Sequence, residues 1–445
     1  MASCSKKVLE DLERKASQCD YIRFTVADMN GIARGKVVPR RNLLSMAKQG
    51  VGIYGGILGI GPNGEITFFQ EVKDTNHGNV QLIPEPNTFH LVPFDNSEVI
   101  TGEVICEPHW YEDGTYQSAS PRYVARQQLQ RLDDMGLSVK SSCELEFLMF
   151  EKDRTTPVFS GRDICVHSVF ASSQRLIYDI EQRLYKAGVD LETLQTEYTG
   201  GQFELVMKPM LGIQGADNVF NAKAGIKEIC QTNDHFATFI TKAGPEVGNG
   251  LHFNYSLYNK DDRNILYDPT QKYNLSEFAQ QWIGGIIHHA RAITVLHAST
   301  VNCFRRVGTP WAATKADWGI QNRMNTLRVK NKDENGTYFE NRMSGGLGNP
   351  YLIMAANIAA GLDGVKNKMS LPQENNEDAV LLPKTLKEGI KALEDDEVIC
   401  DALGNQFVRW FKEVKEIGEM NFVDVDIPDT EEALLKEKEL YMHLM

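Results

Sequence analysis

Two carboxylates, Glu144 and Glu146, stand two residues apart in SSCELEFLMFE (141–151), inside an otherwise apolar run. Side chains alternate across a strand, so both acids share one face while Cys143, Leu145 and Phe147 take the other. Burying two like charges side by side costs several kcal/mol (~5) unless a cation or water meets them. Taken alone, such a strand reads as an edge with its polar face in solvent. Further acids change that reading. In TEYTGGQFELVM, Glu197 and Glu204 flank a Gly-Gly turn that lets both carboxylates approach one point. In GNGLHFNYSL, His252 lies on a strand just after Gly250, and in TYFENRMSGG, Glu340 precedes Arg342 by two, on the same strand face. Each has an ordinary structural explanation. Together they make five carboxylates and one imidazole, a set suited to hard, oxygen-preferring cations such as Mg²⁺ or Mn²⁺.

A basic set accompanies the acids: Arg305 and Arg306 in NCFRRVG, Arg323 and Arg328 in WGIQNRMNTLRV, and Arg342. Guanidinium forks bind phosphates and carboxylates bidentately, so acids for metals with arginines for phosphate point to nucleotide-dependent phosphoryl transfer. The chain contains no GxxxxGK[ST], and its GxGxxG match, GIGPNG (59–64), is followed by the strand-like EITFFQEV and not by a helix. The usual phosphate loops are therefore excluded.

The elements that must position these residues are legible in outline. YIRFTVAD and IARGKVVP bracket an MNG turn and read as a hairpin; EITFFQEV, FHLVPF and VITGEVICE read as further strands. SPRYVARQQLQRLDDMG reads as a helix with a Ser cap, Pro at its first position and Gly136 at its end. The turn-rich stretch 108–118 divides a β-rich region, 1–110, from a larger unit, 111–445. In that unit SQRLIYDIEQRLYKAG and NAKAGIKEICQTNDH read as amphipathic helices, and QFELVMKP and LHFNYSLYN as strands. SEFAQQWIGGIIHHARAITVLH and PYLIMAANIAAGLDGVKNKM read as long core helices. IPDTEEALLKEKELYMHLM reads as a capped tail helix with an apolar end suited to a partner subunit.

Composition sets the bounds. With 445 residues, 42% hydrophobic and 24% charged, the chain can bury a large core without staples. A net charge of −13 speaks against nucleic acid or an anionic membrane as main partner. Eight scattered cysteines without zinc-like spacing read as reduced thiols, and the polar N-terminus does not read as a signal peptide; the expectation is a cytoplasmic protein.

In this combination and order the motifs resemble the glutamine synthetase family, class I-like, with a likeness to its lengsin-like animal branch. The residues that carry the resemblance are the E-x-E strand (Glu144, Glu146), the acids Glu197 and Glu204, the G-x-H strand (Gly250, His252), Asn302 with Arg306, WG-x-x-NR-x4-R from Trp318 to Arg328, and Glu340 with Arg342 before NPYL. The resemblance spans roughly residues 21–418. It implies an α+β fold with a small β-grasp N-terminal domain and a large catalytic domain built on a curved antiparallel sheet, assembled as a homo-oligomer, a dodecamer of two stacked hexamers tied by C-terminal helices. It implies two divalent cations, Mg²⁺ or Mn²⁺, one held by Glu146, Glu197 and Glu204 and the other by Glu144, His252 and Glu340. It further implies ATP contacts from Arg323 and Arg328, glutamate and phosphoryl contacts from Arg306 and Arg342, and a backbone contact to glutamate at Gly248. The implied reaction phosphorylates the glutamate γ-carboxylate and then lets an amine displace the phosphate.

The departures concern the nucleophile. Ammonia-using members carry a flap Glu, whereas VGTPWAATKA (307–316) has no carboxylate, and Trp311 or Ala312 occupies the place. Gly55 falls where an ammonium-binding Asp is expected; Asn254, Tyr338 and Val247 replace a usual His, Arg and Asn. A flap with Trp311 suits a larger, partly apolar amine, since ammonium needs anionic partners. The expected function is therefore ATP-dependent γ-glutamyl ligation to ammonia or, preferentially, an organic amine. The alternative is a non-catalytic lengsin-like ring with cytoskeletal partners. Retention of all six ligand positions favours chemistry.

Overall fold

The computed structural model describes residues 5–162, 164–244, 248–423 and 430–445. Six strands near the N-terminus form one mixed sheet: β1 (Tyr21–Ala27), β2 (Ala33–Pro39), β3 (Val51–Tyr54), β4 (Asn79–Pro84), β5 (His90–Leu91) and β6 (Thr101–Trp110), in the order β2-β1-β6-β4-β3 with β5 beside β6. The MNG turn forms as expected. Asp28 Oδ1 accepts from the N–H groups of Asn30 and Ile32, each at 2.9 Å, and Gly31 takes a positive φ of 75°.

Nine strands form the second sheet: β7 (Leu137–Glu151), β8 (Leu191–Thr196), β9 (Gln202–Met207), β10 (Met210–Leu211), β11 (His235–Thr238), β12 (Leu251–Asn259), β13 (Trp318–Ile320), β14 (Leu327–Asn331) and β15 (Thr337–Asn341). Their path is β13-β14-β15-β12-β7-β9-β8, antiparallel except for the parallel pair β13–β14. One face of this sheet is apolar. Leu145 pairs with Leu251 and Leu205, and Phe147 with Phe203, all buried against the helices Gln214–Thr232 and Pro350–Lys366 and their neighbours. Burial of such side chains contributes about 1.5–3 kcal/mol each and sets the register.

The helix Pro121–Asp134 begins at Ser120, whose hydroxyl accepts from Tyr123 N–H, and ends before Gly136 at φ 73°. Three expectations need correction. EITFFQEV is not a strand: it holds one isolated bridge, Ile60 to Ile66, and runs into the short helix Gln70–Asp74. Its buried Phe69 stacks on Trp410 at 3.7 Å, so the alternating apolar positions serve a helix instead of a neighbouring strand. The long helix expected over 276–297 breaks at His289 into Glu277–His288 and Ala290–His297, where His289 is clasped by Asp396 at 2.6 Å and Asp363 at 3.1 Å. The turn-rich stretch also begins later than expected, because β6 continues to Trp110 and Pro108 pairs with Leu82.

The tail forms the helix Glu431–Tyr441, capped by Thr430. It buries Leu440, Tyr441 and Met445 against its own chain and leaves Leu435 exposed. The seven described cysteines form no disulfide with one another, and no helix among the described residues is long and apolar enough to cross a membrane.

Candidate active site

The polar face of the large sheet collects the chemistry. Strand register places Arg328 opposite Glu340, Glu340 opposite Asn254, His252 opposite Glu144, Glu146 opposite Glu204, and Glu204 opposite Gln195. Directly paired residues lie on the same side of a sheet, so this row crosses β14, β15, β12, β7, β9 and β8 on one surface. The two acids of β7 thus face neither water nor each other alone. They sit in the middle of a line of ligands.

Hydrogen bonds fix most of the row. His252 Nδ1 lies 3.0 Å from Glu144 Oε2, and Asn254 donates to Glu144 Oε1 at 3.2 Å. Glu146 Oε2 accepts from Gly250 N–H at 2.8 Å and from Gln202 at 3.2 Å. Glu197 accepts from Gln195 at 2.8 Å and from Tyr198 N–H at 3.2 Å. Glu144, Glu204 and His252 each bring a ligand atom to within 4.8 Å of the others. At that separation two carboxylates repel by about 3.5 kcal/mol at an effective dielectric constant of about 20.

The titration behaviour follows from this crowding. Burial raises the Glu204 carboxyl, and the charges of Glu144, Glu146, Glu197 and Glu340 push it further, to about 9. Glu197 is raised by burial and by Glu146. Burial would raise Glu144 too, but the hydrogen bond and charge of His252, with help from Asn254 and Arg342, bring it down to about 2. Neighbouring carboxyls are thus driven far apart.

A cavity of about 490 Å³ opens over the row. Its walls include Glu144, Glu146, Glu197, Glu204, His252, Gly248, Arg306, Trp311, Arg323, Arg328 and Arg342. Eleven of the twelve residues assigned from the sequence to cations, ATP, glutamate or the amine therefore meet at one place. Two hollows of greater volume, about 830 and 790 Å³, lie elsewhere, among the helices around His289 and beside the N-terminal helix. Neither gathers an acid–imidazole cluster of this kind among the described residues. The twelfth residue, Glu340, is fully buried beneath the cavity, with Arg328 on one carboxylate oxygen at 2.9 Å and Arg342 on the other. The closest group of ligands is also divided otherwise than expected: Glu204 joins Glu144 and His252, while Glu340 stands with the arginines.

Arg306 is buried, with Nη2 3.2 Å from His252 Nε2 and Nη1 3.3 Å from the Arg342 carbonyl. Arg323 is exposed at the rim. Trp311 is half-exposed at φ 70°, a left-handed backbone unusual for a bulky side chain, and its carbonyl accepts from Arg342 at 3.4 Å. Sequence reasoning passed over Gln202, Gln195 and Lys330, which all line the cavity, and over Ile164, Cys165 and Tyr198 on its wall. Lys330 follows Arg328 by two on β14, and that alternation was the available signal. Gly55 lies away from the cavity, against Gly78 and Trp110. Val247 falls outside the described residues.

The donor set fits hard divalent cations: carboxylate oxygens and one imidazole, already within bridging distance and electrostatically unbalanced without positive charge. It fits a phosphate-bearing nucleotide as well, since Nε of both Arg328 and Arg342 is buried without a hydrogen-bond partner.

Comparison with known proteins agrees. Residues 118–434 match the family described as "Glutamine synthetase, catalytic domain". The glutamine synthetase of Halobacterium salinarum is 30% identical over 434 residues, covering 92% of each chain, and lengsin of Rattus norvegicus is 27% identical over 94% of this chain and 75% of its own length. A structure titled "Crystal structure of novel glutamine synthase homolog" superposes with a TM-score of 0.84 at 23% identity, covering 96% of this chain and 99% of its own. Another, titled "GmaS/ADP complex-Conformation 1", gives 0.82 at 24% identity, covering 92% and 95%. These likenesses carry the α+β fold with its large curved sheet.

Proposed function

This chain belongs to the glutamine synthetase family, and from that premise we propose that it is an ATP-dependent glutamate ligase whose acceptor is an organic amine in preference to ammonia. The observation that carries the chemistry is the row of acids and arginines on one sheet face, assembled from five strands, with its acids drawn together at a cost that a cation, or a proton held on Glu204, offsets. Glu144, Glu204 and His252, flanked by Glu146 and Glu197, would hold the divalent cations. Such cations supply Lewis-acid neutralisation of phosphate charge.

The chain's own residues supply the remainder. Arg328, with Arg323 at the rim, is placed to hold the nucleotide phosphates, and Arg306 and Arg342 to hold glutamate and the phosphoryl group in transfer. A carboxylate is a poor electrophile. Transfer of the γ-phosphoryl group to a γ-carboxylate oxygen releases ADP and makes that oxygen part of a leaving group. The amine nitrogen then bonds to the carbon of the γ-carboxyl group, the bond from that carbon to the phosphate oxygen breaks, and the nitrogen gives up a proton to the departing phosphate. Arg306 and Arg342 face the anion in both steps.

The acceptor preference rests on the wall. Ile164, Tyr198 and Trp311 give it apolar surface, and no carboxylate occurs from 307 to 316 to receive the proton of ammonium. Family membership also supports a homo-oligomeric ring, a stacked double hexamer, measurable by light scattering. The functional test is ADP release from Mg²⁺-ATP and L-glutamate over a panel of ammonia, methylamine, ethanolamine and polyamines, with mass analysis of products. An amine-dependent γ-glutamyl amide is expected; silence across the panel overturns the proposal.

A further inference from the structure

The segment that presents Arg306 is fastened from behind by the end of the chain. Arg306 follows the short helix Val301–Phe304. Within it Asn302, fully buried, accepts from Lys242 N–H at 2.8 Å, donates to the Lys242 carbonyl at 2.9 Å, and donates to Glu437 Oε2 at 2.8 Å. Arg305 reaches the other oxygen of Glu437 through Nε and Nη2, both at 2.9 Å. Glu437 belongs to the tail helix Glu431–Tyr441 and is 1% exposed.

A second buried acid, in the segment Glu416–Met420, makes similar contacts. Glu419 accepts from Val301 N–H, from the Tyr441 hydroxyl at 2.9 Å, and from Lys415, which also reaches Asn30. Lys227 closes the tail by donating to the Leu444 carbonyl at 2.9 Å. Docking a helix does not require this. Leu434, Leu440 and Tyr441 already give the tail an apolar face, and buried ions add little to docking because desolvation offsets their attraction. What such networks contribute is a fixed geometry. Here that geometry converges on Val301, Asn302 and Arg305, just before Arg306, and through Asn302 on Lys242.

We propose that the C-terminal helix is a positioning element for the reaction, with Glu437 holding the Asn302–Arg305 segment so that the neighbouring Arg306 is presented to the cavity. This rests on the reading of Arg306 as a glutamate contact. Arg305 and Arg306 are adjacent and point to opposite sides, one to the tail and one to His252. A displacement of the first therefore displaces the second.

The test measures L-glutamate affinity by calorimetry in the presence of Mg²⁺ and ADP, so no acceptor amine is needed. Glu437→Gln is expected to weaken glutamate binding about tenfold, with Mn²⁺ affinity in the absence of nucleotide unchanged. In an Arg306→Ala background Glu437→Gln is expected to add less than about twofold, since it acts through the missing side chain. The exposed Glu432→Gln on the same helix is the control and leaves binding unaltered. If Glu437→Gln unfolds the chain, Tyr441→Phe, which removes only one hydroxyl, is expected to give a smaller loss of the same non-additive kind. Equal losses in both backgrounds, or full affinity in Glu437→Gln while Arg306→Ala is impaired, overturn the positioning role alone. Full affinity in Arg306→Ala, or no glutamate binding by the parent chain, removes the reading beneath it.

Discussion

Glu146 on β7 lies directly across from Glu204 on β9. Like charges paired across strands oppose sheet formation, so this register is held by the other face, where Leu145 meets Leu205 and Phe147 meets Phe203. The core fixes the strands, and the acids are carried into contact regardless of their repulsion.

A pH dependence follows from Glu204, whose carboxyl rises from 4.5 to about 9 on folding. Between those values the folded chain holds a proton that the unfolded chain has lost, so the contribution of this group is full below about 4.5 and lost as pH rises through 9. Glu144, lowered to about 2, acts in the opposite direction only as pH falls below the ordinary carboxylate range. Thermal melts in EDTA are expected to decline from pH 5 to pH 9, and melts in millimolar Mg²⁺ to decline less, because the cation replaces the proton. Parallel curves with and without Mg²⁺ would falsify this account.

Glu144 holds His252 and bears on Glu204, so Glu144→Gln removes one ligand and loosens another. Mn²⁺ affinity, followed by calorimetry or water-proton relaxation, is expected to fall at least about tenfold, about 1.4 kcal/mol. Glu151→Gln, outside the cavity on the same strand, is expected to have no effect.

Gly250 is surrounded by the site. A Cβ there would lie 2.8 Å from His252 Nε2 and 3.2 Å from both Arg306 Nη2 and Glu146 Oε1. Gly250→Ala is expected to keep the far-ultraviolet circular dichroism of the parent while lowering amine-dependent ADP release about a hundredfold, since displacements near 1 Å are that costly to reacting groups. A normal turnover rate would show that these three side chains have room to rearrange.

The proposed acceptor preference rests on Trp311 in the cavity wall. Trp311→Ala is expected to lower kcat/KM for an alkylamine relative to ammonia by about 10- to 200-fold, the range that apolar pocket contacts achieve. Trp311→Glu supplies the missing flap carboxylate and is expected to move the preference further toward ammonia. Competition between the two amines, read by product mass, checks both; an unchanged ratio places the discriminating surface elsewhere.

Much of this site was legible because the period of a strand is local. Two residues of separation put Glu144 with Glu146 on one face, and the structure keeps them there; Arg342 lies one residue beyond the end of β15 at Asn341, yet still reaches Glu340. The helix ends at Ser120 and Gly136 were equally local, set by a hydroxyl and a positive φ. Pairing between strands is not local, and there the reading fell short. Nothing near Glu340 announces that β14 will set Arg328 against it. Nothing near Glu204 announces that it will lie closest to Glu144 and His252. EITFFQEV misled for the same reason: its alternation is real, but the surface that receives Phe69 is Trp410, more than three hundred residues on.

The row of ligands draws on β7, β9, β12, β14 and β15, whose sequence positions run from 137 to 341. Its closest trio, Glu144, Glu204 and His252, comes from three of those strands. A divalent cation held there would find its trio only once β7, β9 and β12 have paired, and its capture would report the assembly of the centre of the sheet. The same ion that would serve turnover would thereby distinguish chains whose central strands have paired from those whose central strands have not.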